Sequence, residues 1–101
     1  MPVHGDYFKF AFENLAFCPT YKGVFSLHDG DETIYIGKAD EADGLRGRLQ
    51  AHRRGDLGPC TQQATAYRRE LHTDPSARQR ALLEEHRRIY GRLPRCNELN
   101  G

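Results

Sequence analysis

The stretch that decides the fold is residues 23–37, which read GVFSLHDGDETIYIG. Two runs of β-branched and aromatic residues, 24–27 and 33–36, flank residues 28–32, which contain an Asp-Gly pair. Such runs favour extended backbone, and Asp-Gly between them is a strong signal for a tight hairpin turn. The stretch therefore predicts an antiparallel β-hairpin.

C-terminal to the hairpin, the sequence alternates between helix and strand signals. Residues 45–54 predict a short helix that ends at Gly55, and residues 64–71 predict a third strand. Asp74 as N-cap and Pro75 at the first helical position predict a second helix that runs to about Tyr90 and stops at Gly91.

The N-terminal segment carries a mixed pattern. Residues 6–17 combine helical spacing of apolar residues with a short alternation, and we expect a helix with Asp6 as its N-cap. The expected domains are an N-terminal helical extension, 1–21, and one compact unit, 22–101. The predicted fold class is α+β, with a small antiparallel three-stranded sheet flanked by helices.

Composition limits the classes of protein. The chain has 101 residues, enough for one small domain, and contains no apolar run near the roughly 18 residues that a membrane helix needs. We expect no membrane span, no secretory signal and a cytoplasmic location. The cysteines Cys18, Cys60 and Cys96 are odd in number and form no C-x-x-C pair, so we expect reduced thiols.

Charge is distributed unevenly along the chain. Residues 1–45 carry three Lys and eight acidic residues, whereas residues 46–95 carry twelve Arg and five acidic residues. Guanidinium groups bind phosphate oxygens with two parallel hydrogen bonds, so the basic half indicates an anionic partner. Solvated helix faces with no partner would give the same pattern.

Polar residues occur on the predicted buried stripes of both helices. In the first helix, Arg48 and His52 share the face defined by Leu45 and Leu49. In the second helix, Glu85 lies among Ala81, Leu82 and Ile89. An inward carboxylate requires a cation, a metal ion or partial exposure. Arg48 and Glu85 could form a plain ion pair, or they could join Tyr35 of the hairpin in a mixed-charge site.

The order of motifs resembles the GIY-YIG nuclease family over residues 22–97. That family has Gly-Ile-Tyr and Tyr-Ile-Gly on two hairpin strands, where this chain has Gly-Val-Phe at 23–25 and Tyr-Ile-Gly at 35–37. A lysine, a helix with an arginine, and a glutamate followed by Ile, Pro and Asn come next in the family. The matching positions here are Lys38, Arg48, Glu85, Ile89, Pro94 and Asn97. Their spacing is similar to that in the nuclease domain of bacterial nucleotide-excision repair, which implies a DNA repair setting.

The resemblance implies hydrolysis of DNA phosphodiester bonds with one divalent ion, Mg²⁺ or Mn²⁺, held by Glu85. Arg48 would stabilise the phosphate, and Tyr35 would orient or deprotonate the attacking water. Lys38 and His52 would contact phosphate or relay protons, and Asn97 would orient Glu85 or a phosphate. Each residue also has an interpretation without function. Tyr35 would be an ordinary surface aromatic of a strand and Lys38 a solvated side chain. His52 would form a local hydrogen bond, and Asn97 would form a turn.

The expected nucleic-acid contacts are Lys38, Arg46, Arg48, Arg53 and Arg54. We further expect Tyr35, Arg48, Glu85 and Asn97 to converge on one concave surface beside the hairpin. Such nucleases often take their specificity from elsewhere, so a protein partner that supplies it is also expected.

One position departs from the family pattern. Phe25 replaces the first motif's tyrosine and lacks the hydroxyl that helps to position the attacking water. A nucleic-acid-binding or partner-binding module of the same fold, with weakened catalysis, is therefore the alternative to a nuclease. A small phosphate-binding domain that uses Arg48 and Lys38 without Glu85 is a third possibility.

Overall fold

A computed structural model describes residues 6–100, and the side chains of residues 6–98. The described chain is α+β, with four strands and five helices. The strands are β1 (Phe8–Lys9), β2 (Gly23–Asp29), β3 (Glu32–Ala39) and β4 (Ala66–Leu71). The helices are α1 (Phe12–Leu15), α2 (Gly44–Arg54), α3 (Pro59–Gln62), α4 (Pro75–Tyr90) and α5 (Arg95–Asn100). The sheet is antiparallel with strand order β1-β4-β2-β3, so β3 is an edge strand.

The predicted hairpin is confirmed as β2 and β3. Leu27 lies opposite Tyr35, whereas His28 lies opposite Thr33, so β3 contains one extra residue, Ile34. A bulge of this kind changes the direction in which the neighbouring side chains point. Here it lies immediately before Tyr35, the first residue of the second motif.

Helices α2 and α4 cover opposite faces of the sheet. Phe25 and Leu27 of β2 belong to the larger core cluster, together with Leu45 and Leu49 of α2. Val24 of β2 and Ile36 of β3 instead pack with Leu82 of α4 in a smaller cluster. Successive strand side chains point to opposite faces, so α2 and α4 reach the edge strand from its two sides.

The predicted ends of the two long helices are confirmed. Gly55 and Gly91 end α2 and α4 with φ values of 85° and 79°, a left-handed conformation that favours glycine. The Asp74 carboxylate accepts a hydrogen bond from the Ala77 amide, as expected of an N-cap, and Pro75 opens α4. These signals are local, which explains why the sequence revealed them.

The prediction for the N-terminal segment was wrong in part. Residues 6–17 contain a two-residue strand and a four-residue helix instead of one helix. Phe8 stacks on Tyr67 of β4 with ring centroids 5.4 Å apart, and Arg69 lies 4.8 Å above the Phe8 ring. These contacts outweigh the local helical pattern. Consequently the sheet has four strands instead of three, because Phe8 and Lys9 pair with β4.

The expectation of reduced thiols was also wrong, because Cys60 and Cys96 form a disulfide between α3 and α5. Their Cα atoms are 5.7 Å apart although 36 positions separate them in the chain. Both short helices were missed from the sequence, so nothing indicated that these two cysteines would meet. Cys18 is a free, buried cysteine.

The buried stripe of α4 differs from the expected one. Leu82 is buried as predicted, but Ala81 and Ile89 are exposed. Gln79 donates a hydrogen bond to the Ile36 carbonyl, and Ser76 accepts one from Lys38. These two bonds to β3 turn a polar side of the helix toward the sheet. Among the described residues, no helix combines the length and apolar character needed to cross a bilayer.

Candidate active site

Tyr35, Arg48 and His52 lie together on the face of the sheet that α2 covers; we call this group the Tyr35 cluster. Arg48 and His52 are four residues apart on α2, and therefore project from the same side of the helix toward β3. The Arg48 guanidinium lies close enough to the Tyr35 hydroxyl for its charge to favour the ionised phenol. The Tyr35 and His52 rings are 5.0 Å apart between centroids. Strand and helix thus present a phenol, a guanidinium and an imidazole at one place.

The Tyr35 hydroxyl is a neutral donor at neutral pH. Burial raises the pKa of Tyr35 above its usual value of 10, and the nearby Arg48 charge and hydrogen bond oppose that rise without cancelling it. A protonated phenol can donate to a phosphate oxygen or hold a water molecule. In the free protein Tyr35 is therefore suited to positioning, and deprotonation of water by its phenolate is disfavoured.

His52 is also neutral, for a related reason. Its side chain is 1% exposed, and burial, together with the Arg48 charge, lowers the pKa of His52 from 6.5 to about 4. Nδ1 is 2.7 Å from the Thr61 hydroxyl, whereas Nε2 has no hydrogen-bond partner among the described residues. A buried nitrogen without a partner costs about 1–3 kcal/mol, so Nε2 is a group that a bound water or ligand atom could satisfy.

Stability should fall in mild acid because of two buried histidines. The pKa of His28 is likewise lowered to about 4, by burial and by the Arg68 charge. Between pH 6.5 and about 4 the unfolded chain binds protons at His28 and His52 that the folded chain does not bind. We therefore expect the free energy of unfolding to keep its full value above pH 6.5 and to decrease as the pH falls toward 4.

Urea unfolding followed by circular dichroism at pH 7.5, 5.5 and 4.5 measures this dependence. His52→Gln should reduce the difference between pH 7.5 and pH 4.5, leaving the part due to His28. An equal pH dependence in wild type and His52→Gln would show that His52 titrates normally in the folded protein.

Arg48 borders a cleft of about 270 Å³ that is also lined by Lys38, Asp40 and Glu41. Arg48 makes an ion pair with Glu41 at 4.0 Å, but the Glu41 side chain is mostly exposed. A long, exposed pair of this kind contributes little to stability. An incoming phosphate could displace Glu41 and bind between the Arg48 and Lys38 cations.

Asn97 fixes the strand that carries Tyr35. Its side-chain oxygen accepts from the Ile36 amide at 2.9 Å, and its nitrogen donates to the Ile36 carbonyl at 3.0 Å. The buried amide therefore behaves like a short piece of an additional strand at the free edge of β3. Both groups of the Asn97 amide are engaged by Ile36, which holds the residue next to Tyr35 in place.

Glu85 is carried by α4, and the sheet lies between this helix and α2. It follows Leu82 by three residues, its side chain is 24% exposed, and one carboxylate oxygen is 3.5 Å from Arg88. The structure thus brings Tyr35, Arg48 and His52 together, with Asn97 at the adjacent residue, but places Glu85 on the opposite helix. Convergence of Tyr35, Arg48, Glu85 and Asn97 on one concave surface stays a prediction.

The fit of a divalent ion can be judged from the donors present. Mg²⁺ and Mn²⁺ prefer carboxylate oxygens and tolerate several bound waters, so one partly exposed Glu85 is chemically suitable. Within residues 6–98, however, no three or more His, Cys, Asp or Glu side chains are grouped to hold a metal ion. An ion at Glu85 would therefore depend on water for most of its ligands.

The other predicted nucleic-acid contacts take separate positions on α2. Arg46 donates to the Cys18 carbonyl at 2.8 Å, and Arg53 lies 5.4 Å above the Phe12 ring. Arg54 is exposed and pairs with Asp56 at 2.8 Å. Arg46 and Arg53 thus border the N-terminal segment, on the flank of α2 opposite to Arg48.

Sequence reasoning missed two residues around the Tyr35 cluster, Thr61 and Glu41, and it missed the packing role of Phe25. The Phe25 ring is fully buried, 6.0 Å from the Tyr35 ring and 5.5 Å from the His52 ring. A Cβ atom at Gly37 would lie 2.4 Å from the tip of Phe25. The glycine of Tyr-Ile-Gly is therefore needed to admit this ring. Thr61 and Glu41 gave no sequence signal, because their contacts depend on tertiary structure.

No protein-family model matches the chain, and no curated protein matches it in sequence. The resemblance to GIY-YIG nucleases accordingly depends on the ordered motifs alone.

Proposed function

We propose that this chain acts on DNA as a GIY-YIG-type, metal-dependent endonuclease, with the Tyr35 cluster as its phosphate site. The observation that carries the proposal is the position of Arg48, which lies beside Tyr35 and shares a cleft with Lys38. These three residues come from three of the ordered motifs, and two of them are cations. A guanidinium and an ammonium at one cleft, with a phenol donor beside the guanidinium, suit a phosphate diester.

The residues of the cleft have distinct parts in this proposal. Arg48 binds two oxygens of the scissile phosphate and stabilises the charge that grows in the transition state. Lys38 adds a second positive charge at the rim. Tyr35, held as a neutral phenol, orients the attacking water or a phosphate oxygen. The neutral His52 fixes the Tyr35 ring and offers Nε2 as a further polar contact.

Glu85 would hold the divalent ion, which when bound supplies polarisation of the phosphate and stabilisation of the leaving oxygen. Because α4 covers the other face of the sheet, the ion would have to approach the cleft around the free edge of β3. Substitution of Glu85 is therefore the sharpest mutational test of the proposed metal site.

The test is single-turnover cleavage of a plasmid and of a branched oligonucleotide in Mg²⁺, Mn²⁺ or EDTA. Wild type should cut slowly with either metal and not in EDTA. Glu85→Gln should abolish cutting, whereas Glu84→Gln, on the exposed side of the same helix, should cut like wild type. Equal cutting by wild type and Glu85→Gln would indicate a contaminating nuclease and remove the metal assignment.

A nucleic-acid-binding module without efficient catalysis is the second candidate, and two observations favour it. Phe25 lacks the hydroxyl that the family's tyrosine carries at this position. Glu85 belongs to α4, which packs on the face of the sheet opposite to α2. Phe25→Tyr separates the candidates, since a restored hydroxyl could return general-base help of about 10²-fold. If neither wild type nor Phe25→Tyr cuts any substrate while both bind DNA, the binding module is the better account.

A further inference from the structure

Residues 12–21 run along one flank of α2, antiparallel to it. At the C-terminal end of α2, Arg53 lies over the Phe12 ring at 5.4 Å. Toward the N-terminal end, the Arg46 amide donates to the Pro19 carbonyl and the Leu45 amide to the Tyr21 carbonyl, both at 3.0 Å. The segment is thus fixed at both ends of the helix, over a length of about 12 Å.

Three large aromatic side chains of this segment are exposed: Phe12 at 48%, Phe17 at 84% and Tyr21 at 51%. We call them the aromatic ridge. Buried neighbours Leu15 and Cys18 anchor the backbone beneath them, so the rings are held outward by a packed segment. Isolated exposed apolar residues are common. Three exposed aromatic rings within ten residues of one anchored segment instead indicate an interaction site.

Positive charge lies directly beside the aromatic ridge. Arg46 and Arg53 border it from α2, and exposed Arg54 follows at the end of the same helix. The segment itself contributes one acidic side chain, Glu13. Aromatic rings beside cations suit a single strand of nucleic acid, because bases stack on rings while phosphates contact cations.

We propose that the aromatic ridge binds unpaired bases of single-stranded DNA or of a single-stranded arm of branched DNA. This inference rests on the proposed function for the choice of nucleic acid as the partner, and it names the form of that partner. Arg46 and Arg53 contact the phosphates between stacked bases. The strand then crosses α2, whose diameter is about 10 Å, and reaches the Arg48 cleft on its other flank.

Fluorescence anisotropy with two labelled oligonucleotides of equal length tests the inference. One carries thymine at every position, and the other carries abasic sites, so the phosphates are kept and the bases are lost. Wild type should bind the thymine strand roughly 5- to 150-fold more tightly than the abasic strand, the range expected for one stacked base. Phe17→Ala should remove most of that difference, and Tyr90→Ala, which alters an exposed ring on α4, should leave it unchanged.

Each other outcome has a definite meaning. Equal affinity for both strands, or a Phe17→Ala protein that binds like wild type, overturns the stacking inference while leaving phosphate binding at the Arg48 cleft intact. Absence of binding to either strand at low salt overturns the inference, whereas the proposed function is tested separately by cleavage of the duplex plasmid. If sedimentation shows that wild type is a dimer that Phe17→Ala dissociates, with no change in DNA affinity, a second copy of the chain occupies the ridge and the inference is wrong.

Discussion

Arg48→Ala is expected to slow DNA cleavage by about 10²- to 10³-fold, the usual loss when one preorganised transition-state donor is removed. Arg48 is the cation whose charge acts on Tyr35, and it borders the same cleft as Lys38. Arg48→Lys should recover part of the rate, because a lysine keeps the charge but loses the two-pronged geometry. Single-turnover cleavage with enzyme in excess measures the chemical step.

Two variants of neighbouring residues serve as controls for Arg48. Arg54→Ala removes an exposed arginine of the same helix that already pairs with Asp56, and should change the rate little. Glu41→Gln removes the carboxylate that pairs with Arg48, and should strengthen DNA binding. An Arg54→Ala effect as large as that of Arg48→Ala would mean that α2 acts through general charge, and the special role of Arg48 would be lost.

Loss of the Cys60–Cys96 disulfide is expected to destabilise the fold by roughly 4 kcal/mol, as loop-closure entropy gives for a bridge across this separation. The effect should reach the Tyr35 cluster, because each cysteine directly precedes a residue that contacts the cluster or the strand that carries Tyr35. Thr61 follows Cys60 and contacts His52, and Asn97 follows Cys96 and brackets Ile36. The bond therefore links the two short helices that position the site.

Urea unfolding with and without dithiothreitol measures this loss, and the double variant Cys60→Ser/Cys96→Ser provides the control. Wild type in reductant should match the double variant without it, and reductant should not affect the double variant further. An unchanged unfolding midpoint for wild type in reductant would contradict a structural role for the bond.

The predictable parts of the fold are those with local causes. The Asp-Gly turn, the Asp74-Pro75 start and the two terminal glycines each act within a few residues, and the structure has them where the sequence indicated. The strand at Phe8 was not predictable in the same way. It forms because Tyr67 and Arg69 lie on a strand almost sixty residues away and pack against its ring.

The candidate site likewise has parts with local causes, which were predictable, and parts that depend on tertiary structure, which were not. Arg48 and His52 were placed on an inward stripe by helical spacing with Leu45 and Leu49, and α2 does present them to Tyr35. Spacing alone could not say which face of the sheet each helix covers. Glu85 was placed on the inner side of its helix, but its helix packs on Val24 and Ile36, whereas α2 packs on Phe25 and Leu27. Because neighbouring residues of a strand point to opposite faces of the sheet, the two helices pack on opposite faces.

A crystal structure of the protein with a short, cleavage-resistant phosphorothioate DNA in Mg²⁺ tests the phosphate site most directly. We expect a backbone phosphate within about 3 Å of the Arg48 guanidinium and the Tyr35 hydroxyl, with Glu41 displaced from Arg48. DNA bound at another surface, with Arg48 still paired to Glu41 and no phosphate in the cleft, would contradict it.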